Sequence, residues 1–388
     1  MTSLPLGFHT YVASIGIKDA TDDFLVLAAD APCAAAAVFT RSRFAGPSVE
    51  ISRDHVADRR LQAFTVIAKN ANVATGPGGR ADAEEVVAGV ARALGAAAGD
   101  VLIASTGVIG RRYPMDRIRA HLAGLTAPFA GTEAEPAARA MMTTDTFAKV
   151  ASAPLRTLEG NAATIVGIAK GVGMIEPDMA TLITLFCTDA DVPADELDPI
   201  FRRVIDHTFN AVSIDTDTST SDTAAIMANG AAGAVDRAEF ERALHDVALS
   251  LTRQTARDGE GATTLIEVLV DGARDEDQAR RVAKAIVNSP LVKTAVHGAD
   301  PNWGRVAMAI GKCSDDLDID QERVVIRFGS AEVYPHLLDD SALAELSTYL
   351  GQDEVLIHVS LGIADGAFTA YGCDLTDGYV RINADYTT

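Results

Sequence analysis

Two apolar runs, residues 24–29 and 34–39, stand only four residues apart, linked by Asp30-Ala31-Pro32-Cys33. Four residues cannot hold a crossover helix, so the runs read as adjacent strands joined by a short turn. A third apolar run, 64–68, follows before any helical pattern begins. Consecutive strands of this kind favour a layered α+β sandwich over a regular strand–helix alternation.

Helices and strands mix through the rest of the chain. Gly76-Pro77-Gly78-Gly79 reads as a loop, after which Asp82 opens a helix with Glu85 three residues on, as in a capping box. Val86, Val90 and Leu94 give this helix one apolar face, and Gly95 fits its end. Residues 101–104 form a short strand running into Ser105-Thr106-Gly107, 120–136 are linker with short helix, and 161–169 are another strand. Asp198-Pro199 reads as the start of a helix over 200–209. Asp236 caps a long helix with a stripe of Phe240, Leu244, Val247 and Leu251. Residues 265–270, 305–310 and 354–361 are strand candidates, 275–288 a second amphipathic helix, and 379–386 close the chain.

Composition narrows the function. A hydrophobic share of 48% excludes a mostly disordered chain, and a net charge of −21 argues against nucleic acid and anionic membranes as partners. No apolar run reaches a membrane-spanning length and the N-terminus has no signal-peptide pattern, so the expectation is a soluble cytoplasmic protein. Cys33, Cys187, Cys313 and Cys373 lie far apart with no CxxC pair, which reads as free thiols rather than a metal site.

Chemistry concentrates in residues 170–181, where Gly171, Gly173 and Pro177 make a loop that switches abruptly into the β-branched, apolar run Thr181-Leu182-Ile183-Thr184-Leu185-Phe186-Cys187. A threonine hydroxyl is a weak nucleophile unless a base takes its proton, and the α-amine of an N-terminal threonine can do so. Thr181 gains such an amine if its own hydroxyl cuts the Ala180–Thr181 bond. A threonine opening a strand is also ordinary β-propensity. Neither glycine cluster has the strand and helix context of a phosphate-binding loop, and His297 near Asp300 is no triad on sequence closeness alone.

Lys170-Gly171-x-Gly173-Met174-Ile175-x-Pro177-x-Met179-Ala180-Thr181 resembles the signature of the ornithine acetyltransferase (glutamate N-acetyltransferase) family. So do Asn70-Ala71-Asn72, Ser105-Thr106-Gly107-Val108-Ile109-Gly110, Thr143-Thr144-Asp145-Thr146, Asp258-Gly259-Glu260-Gly261, Asp300-Pro301-Asn302-Trp303-Gly304-Arg305 and Ile382-Asn383-Ala384-Asp385-Tyr386, which span the whole chain in order. The resemblance implies an αββα-type sandwich related to the β-peptidyl aminopeptidases, N-terminal-nucleophile-like. It implies self-cleavage after Ala180 into an α segment, 1–180, and a β segment, 181–388, assembled as an α2β2 heterotetramer. Thr181 would be the nucleophile, Thr106 and Gly107 the oxyanion hole, and Thr144, Lys170, Glu260, Asn383 and Thr388 substrate contacts. The implied reaction is ping-pong acetyl transfer from N2-acetyl-L-ornithine to L-glutamate, with no cofactor and no metal.

Val172 and Asp178 stand where the family more often has serine and asparagine, and the chain ends Tyr386-Thr387-Thr388 where an arginine commonly follows the tyrosine. These features resemble the paralogue of clavulanic acid biosynthetic clusters, and they bear on acceptor range more than on mechanism. The competing readings are an N-terminal-nucleophile aminopeptidase or amidase on the same fold, and a non-catalytic binding protein that keeps it.

Overall fold

The computed structural model describes residues 1–176, 182–336 and 338–385. The strands are β1 (Phe8–Ala13), β2 (Phe24–Phe39), β3 (Arg60–Ile67), β4 (Val101–Ser105), β5 (Lys149–Arg156), β6 (Ala162–Lys170), β7 (Ile183–Asp191), β8 (Thr223–Ala234), β9 (Leu265–Ala273), β10 (Val325–Phe328), β11 (Ala331–Tyr334), β12 (Glu354–Ser360) and β13 (Gly366–Cys373). The helices are α1 (Pro47–His55), α2 (Gly76–Leu94), α3 (Met115–Gly124), α4 (Ala134–Ala140), α5 (Ala194–His207), α6 (Arg237–Arg257), α7 (Glu276–Val287), α8 (Pro290–His297), α9 (Trp303–Gly311), α10 (Asp340–Leu350) and α11 (Asp377–Asp385). Among the described residues they build an eight-stranded sheet, in the order β4-β3-β2-β8-β7-β6-β5 with β1 on β2, and a five-stranded sheet, β11-β10-β12-β9-β13.

The hairpin expected at 24–39 is instead the single strand β2, 16 residues long. Its first half pairs with β1 and β3, and its second half pairs with β8. The register against β3 slips between Ala28 and Cys33, so Asp30-Ala31-Pro32 bulges out and the strand bends there. Proline, which cannot donate to the ladder, is tolerated at such a point.

That bend folds the large sheet over on itself. Leu25, Leu27, Phe64, Val66 and Leu102 from the β1-β3-β4 half meet Val166, Ile168, Ile183, Leu185 and Met227 from the β5-to-β8 half in one buried core, which α4 closes. The opposite side chains of the first half, such as Val26, Ala63 and Ile103, pack under α2 and α3. Those of the second half, such as Ile165, Phe186 and Ile226, pack under α5 and α6. The period-2 alternation of each strand thus serves two cores at once, and the layers run helix, sheet, sheet, helix. This is the expected αββα α+β sandwich. The small sheet has its own core with α7, α8, α9 and α10. Helix α6 joins the two bodies: Leu251 is buried against the large sheet, whereas Ala256 belongs to the small sheet's core.

Three further expectations are corrected. Helix α2 starts at Gly76, so Gly76-Pro77-Gly78-Gly79 is its first turn, and Asp82 binds the Arg112 guanidinium instead of capping. Helix α5 starts at Ala194 with Pro199 inside it, because its buried stripe already begins at Leu197 and packing outweighs the one lost hydrogen bond. Residues 305–310 lie in α9, burying Val306, Ala309 and Ile310 at helical spacing. A five-residue apolar run is ambiguous between strand and helix.

Candidate active site

The ends of β3, β4 and β6 and the beginnings of β7 and β8 meet at one side of the double sheet, where they border a cleft of about 180 Å³. Its lining includes Thr106 and Gly107 after β4, Thr143 and Thr144 before β5, Lys170 to Met174 after β6, Leu182 and Ile183 at β7, 219–222 before β8, Glu260 after α6, and Asn383 of α11. The Ser- and Thr-rich segment 219–222 therefore supplies a wall of the site.

Gly107 has φ of 122°, and a Cβ there would lie 2.2 Å from the Lys69 carbonyl carbon. Only glycine fits this turn. The Thr106 N–H donates to the Ile67 carbonyl at 3.0 Å, so that backbone group is occupied. The Thr106 hydroxyl remains on the cleft, 3.4 Å from Lys170 Nζ. Among the described residues the Gly107 N–H has no hydrogen-bond partner.

Lys170, the last residue of β6, is 7% exposed. Its ammonium donates to Thr143 Oγ1 at 2.9 Å and stands 3.7 Å from Asp145 Oδ2. Burial would raise the Asp145 pKa, but the charges of Lys170 and Lys149 and the bonds it accepts outweigh this and hold it well below the usual carboxylate range. Behind Asp145 lies Lys149, fully buried and bonded to Asp145 Oδ1 at 2.8 Å and to Asp258 Oδ2 at 2.6 Å.

Glu260 sits beyond the end of α6, its N–H on the Val172 carbonyl at 2.9 Å. Its carboxylate accepts from Thr144 Oγ1 at 3.0 Å and from Asn383 Nδ2 at 2.8 Å. A Cβ on Gly173 would lie 2.6 Å from Glu260 Oε2, so a side chain there would push the Glu260 carboxylate from its present place. The far side of the loop is anchored by Asp215, whose two oxygens accept the Met174 and Ile175 N–H groups at 2.6 and 2.7 Å. Met174 is held at φ of 55°. Glu176 donates its N–H to Asp217 O and accepts from Asn288 Nδ2.

Thr106, Gly107, Thr144, Lys170, Glu260 and Asn383 are thus brought to one cleft. Ala180, Thr181 and Thr388, with Asp178, lie outside the described residues. Leu182, the residue after Thr181, lines the cleft. Asn383 is carried to Glu260 by α11. His297 binds Asp374 at 2.9 Å rather than Asp300, so no triad forms with Asp300. Sequence reasoning missed Asp145, Lys149, Asp215 and Asp258; the first and last sat inside quoted motifs, but nothing local marked them as partners of one another.

A cation, a carboxylate, hydroxyls and a spare N–H around a small cleft at the edge of an αββα sandwich suit a small charged molecule and an oxyanion, as acyl-group chemistry needs. The ArgJ family model matches residues 9–388. The chain is 61% identical over 390 residues to glutamate N-acetyltransferase Oat2 of Streptomyces clavuligerus, covering 99% of this chain and 98% of that one. It is 55% identical to the arginine biosynthesis bifunctional protein ArgJ 2 of a Nostoc species, covering 100% and 99%. A crystal structure of the arginine biosynthesis bifunctional protein ArgJ from Bacillus halodurans superposes with a TM-score of 0.48 at 41% identity, over 51% of this chain and 96% of that one. The chain belongs to the ArgJ family.

Proposed function

We propose that this protein is a glutamate N-acetyltransferase of the ornithine acetyltransferase type, which activates itself by cleavage at Ala180–Thr181 and moves acetyl from N2-acetyl-L-ornithine to L-glutamate. The observation that carries this is the placement of Lys170 and Glu260 on one cleft with Thr106, Gly107 and Leu182, the neighbour of Thr181. In processing, the Thr181 hydroxyl attacks the Ala180 carbonyl, the Thr181 nitrogen takes a proton and leaves as a new α-amine to give an ester, and water then hydrolyses that ester to the Ala180 carboxylate and the free hydroxyl. In turnover that amine takes the hydroxyl proton while the oxygen attacks the acetyl carbonyl of the donor. The C–N bond breaks, the proton passes to the ornithine amine, and acetyl-Thr181 remains. The glutamate amine then attacks the ester, and the threonine oxygen takes back a proton as N-acetylglutamate leaves.

The oxyanion of each tetrahedral intermediate accepts from the Thr106 hydroxyl and the Gly107 N–H. Lys170 pairs the α-carboxylate common to donor and acceptor, and Glu260, steadied by Thr144 and Asn383, meets the side-chain ammonium of ornithine. Thr388 adds a contact from the C-terminus. The two segments, 1–180 and 181–388, assemble as an α2β2 heterotetramer in the cytoplasm. The described residues contain no helix long and apolar enough to cross a membrane.

Intact mass before and after incubation with N-acetylornithine tests the proposal. The expected result is two fragments split at Ala180/Thr181 with one acetyl on the second. Thr181→Ala should stay uncleaved and inactive, whereas Thr181→Ser should still cleave. Acetate release at full rate without glutamate would instead make the protein a hydrolase.

A further inference from the structure

The cleft's lysine has a carboxylate behind it that does not close on it. Lys170 Nζ is 3.7 Å from Asp145 Oδ2, beyond hydrogen-bond reach, although Asp145 is buried and ionised. A buried carboxylate facing one ammonium would ordinarily draw it into a direct contact of about 2.8 Å. Here Asp145 is already engaged. Its Oδ1 accepts from Lys149 Nζ at 2.8 Å and from the Gly171 N–H at 2.7 Å, and its Oδ2 accepts from the Thr143 N–H at 3.0 Å. Lys149 is in turn balanced by Asp258, which also accepts from the Thr146 N–H and hydroxyl. Asp258, Lys149, Asp145 and Lys170 form a row of alternating charge that sums to zero.

We propose that Lys149 is a positioning residue for the cleft, whose charge occupies Asp145 and so leaves the Lys170 ammonium free to take the substrate's carboxylate. This rests on the assignment of Lys170 to that carboxylate. With Lys149 present, Lys170 spends its protons on the neutral hydroxyls of Thr143 and Thr106 and keeps its charge for the ligand. Without it, Asp145 becomes an internal competitor for that charge. The same row ties together the loops bearing Thr143, Lys170 and Glu260, because Asp258 stands two residues before Glu260.

The test is the double variant Lys149→Met/Asp258→Asn, which removes one charge of each sign and keeps the buried set neutral. N-acetylornithine is compared with its α-amide, which lacks the negative charge, after mass spectrometry confirms self-cleavage. The expected result is a KM for N-acetylornithine raised about tenfold or more and a kcat/KM preference for acid over amide that falls toward one. A lower melting temperature with the wild-type preference retained would reduce Lys149 to a structural part and overturn the inference. Asp145→Asn is the converse arm. Lys170 then has no competitor, so the preference is kept or increased; its loss there would refute the competition, however the double variant behaves. A wild-type protein that transfers acetyl yet shows no preference for acid over amide would overturn the Lys170 assignment itself, a different failure from a double variant that keeps a real wild-type preference.

Discussion

Thr106→Val separates two ways of building an oxyanion hole. At a strand exit the usual donor is the backbone N–H, and valine would preserve it. In this fold that N–H is consumed by the Ile67 carbonyl at 3.0 Å, so the hydroxyl is the group Thr106 has left to give. Valine matches threonine in shape and branching, so the β4 exit should hold its backbone. Thr106 is only partly buried, and its hydroxyl makes one long contact, 3.4 Å to Lys170, so the stability cost should stay below about 1 kcal/mol. Loss of one oxyanion donor lowers kcat by about 10²–10³, equivalent to about 3–4 kcal/mol of transition-state stabilisation. The expectation is therefore a folded protein with kcat reduced by that factor and KM changed far less, and Thr106→Ser close to wild type. The assay is N-acetylglutamate formation at saturating donor, with melting temperature and extent of self-cleavage measured on the same preparations. Wild-type kcat in Thr106→Val would refute the reasoning, because the oxyanion would then be held by groups other than this hydroxyl.

Gly107→Ala should fail differently, since its Cβ would meet backbone atoms of Lys69 and Asn70 at 2.2–2.6 Å in a left-handed conformation. About 2–4 kcal/mol of stability should be lost in chemical denaturation, together with activity, and a variant as stable as wild type would contradict the strain argument. Lys284, bonded to the Val212 carbonyl, is lowered to about 8 by burial, against the opposing charge of Glu176. The folded state gives up this proton before the unfolded chain does, so stability should rise with pH between about 8 and 10.5. Urea titrations across that window should show the rise in wild type and a shallower slope in Lys284→Met.

The cleft residues were named in the sequence because short motifs carry the resemblance to a known family. Gly107, Lys170 and Glu260 each sit where a strand or helix gives way to a loop, and such transitions are marked locally by glycine and polar residues. The buried stripe of α6 and the αL glycine that ends α2 were likewise local facts. Errors fell where a local pattern admits two outcomes. A short apolar run such as 305–310 suits a strand or a helix, and the choice was made by the small-sheet core that takes up Val306, Ala309 and Ile310. Pro199 looked like a helix start because its missing N–H is cheapest there, yet Leu197 already needed burial upstream.

The residues expected to carry the chemistry were named by the resemblance of short motifs to a known family, whereas hydrophobic alternation and cap signals pointed to a layered α+β protein and to the helices opened by Asp236 and Asp275. These signals could not show that β2 is one bent strand, because the two turns of the chain, hairpin or bulge, differ only in which distant strand each half pairs with. Nor could they show that the Thr106 N–H is spent on Ile67, or that Lys149 and Asp258 stand behind Lys170. Those facts depend on contacts between residues up to 109 positions apart. Periodicity along the chain governs which face of an element is apolar, whereas the partner of a buried charge is settled only when the layers close and exclude water from it.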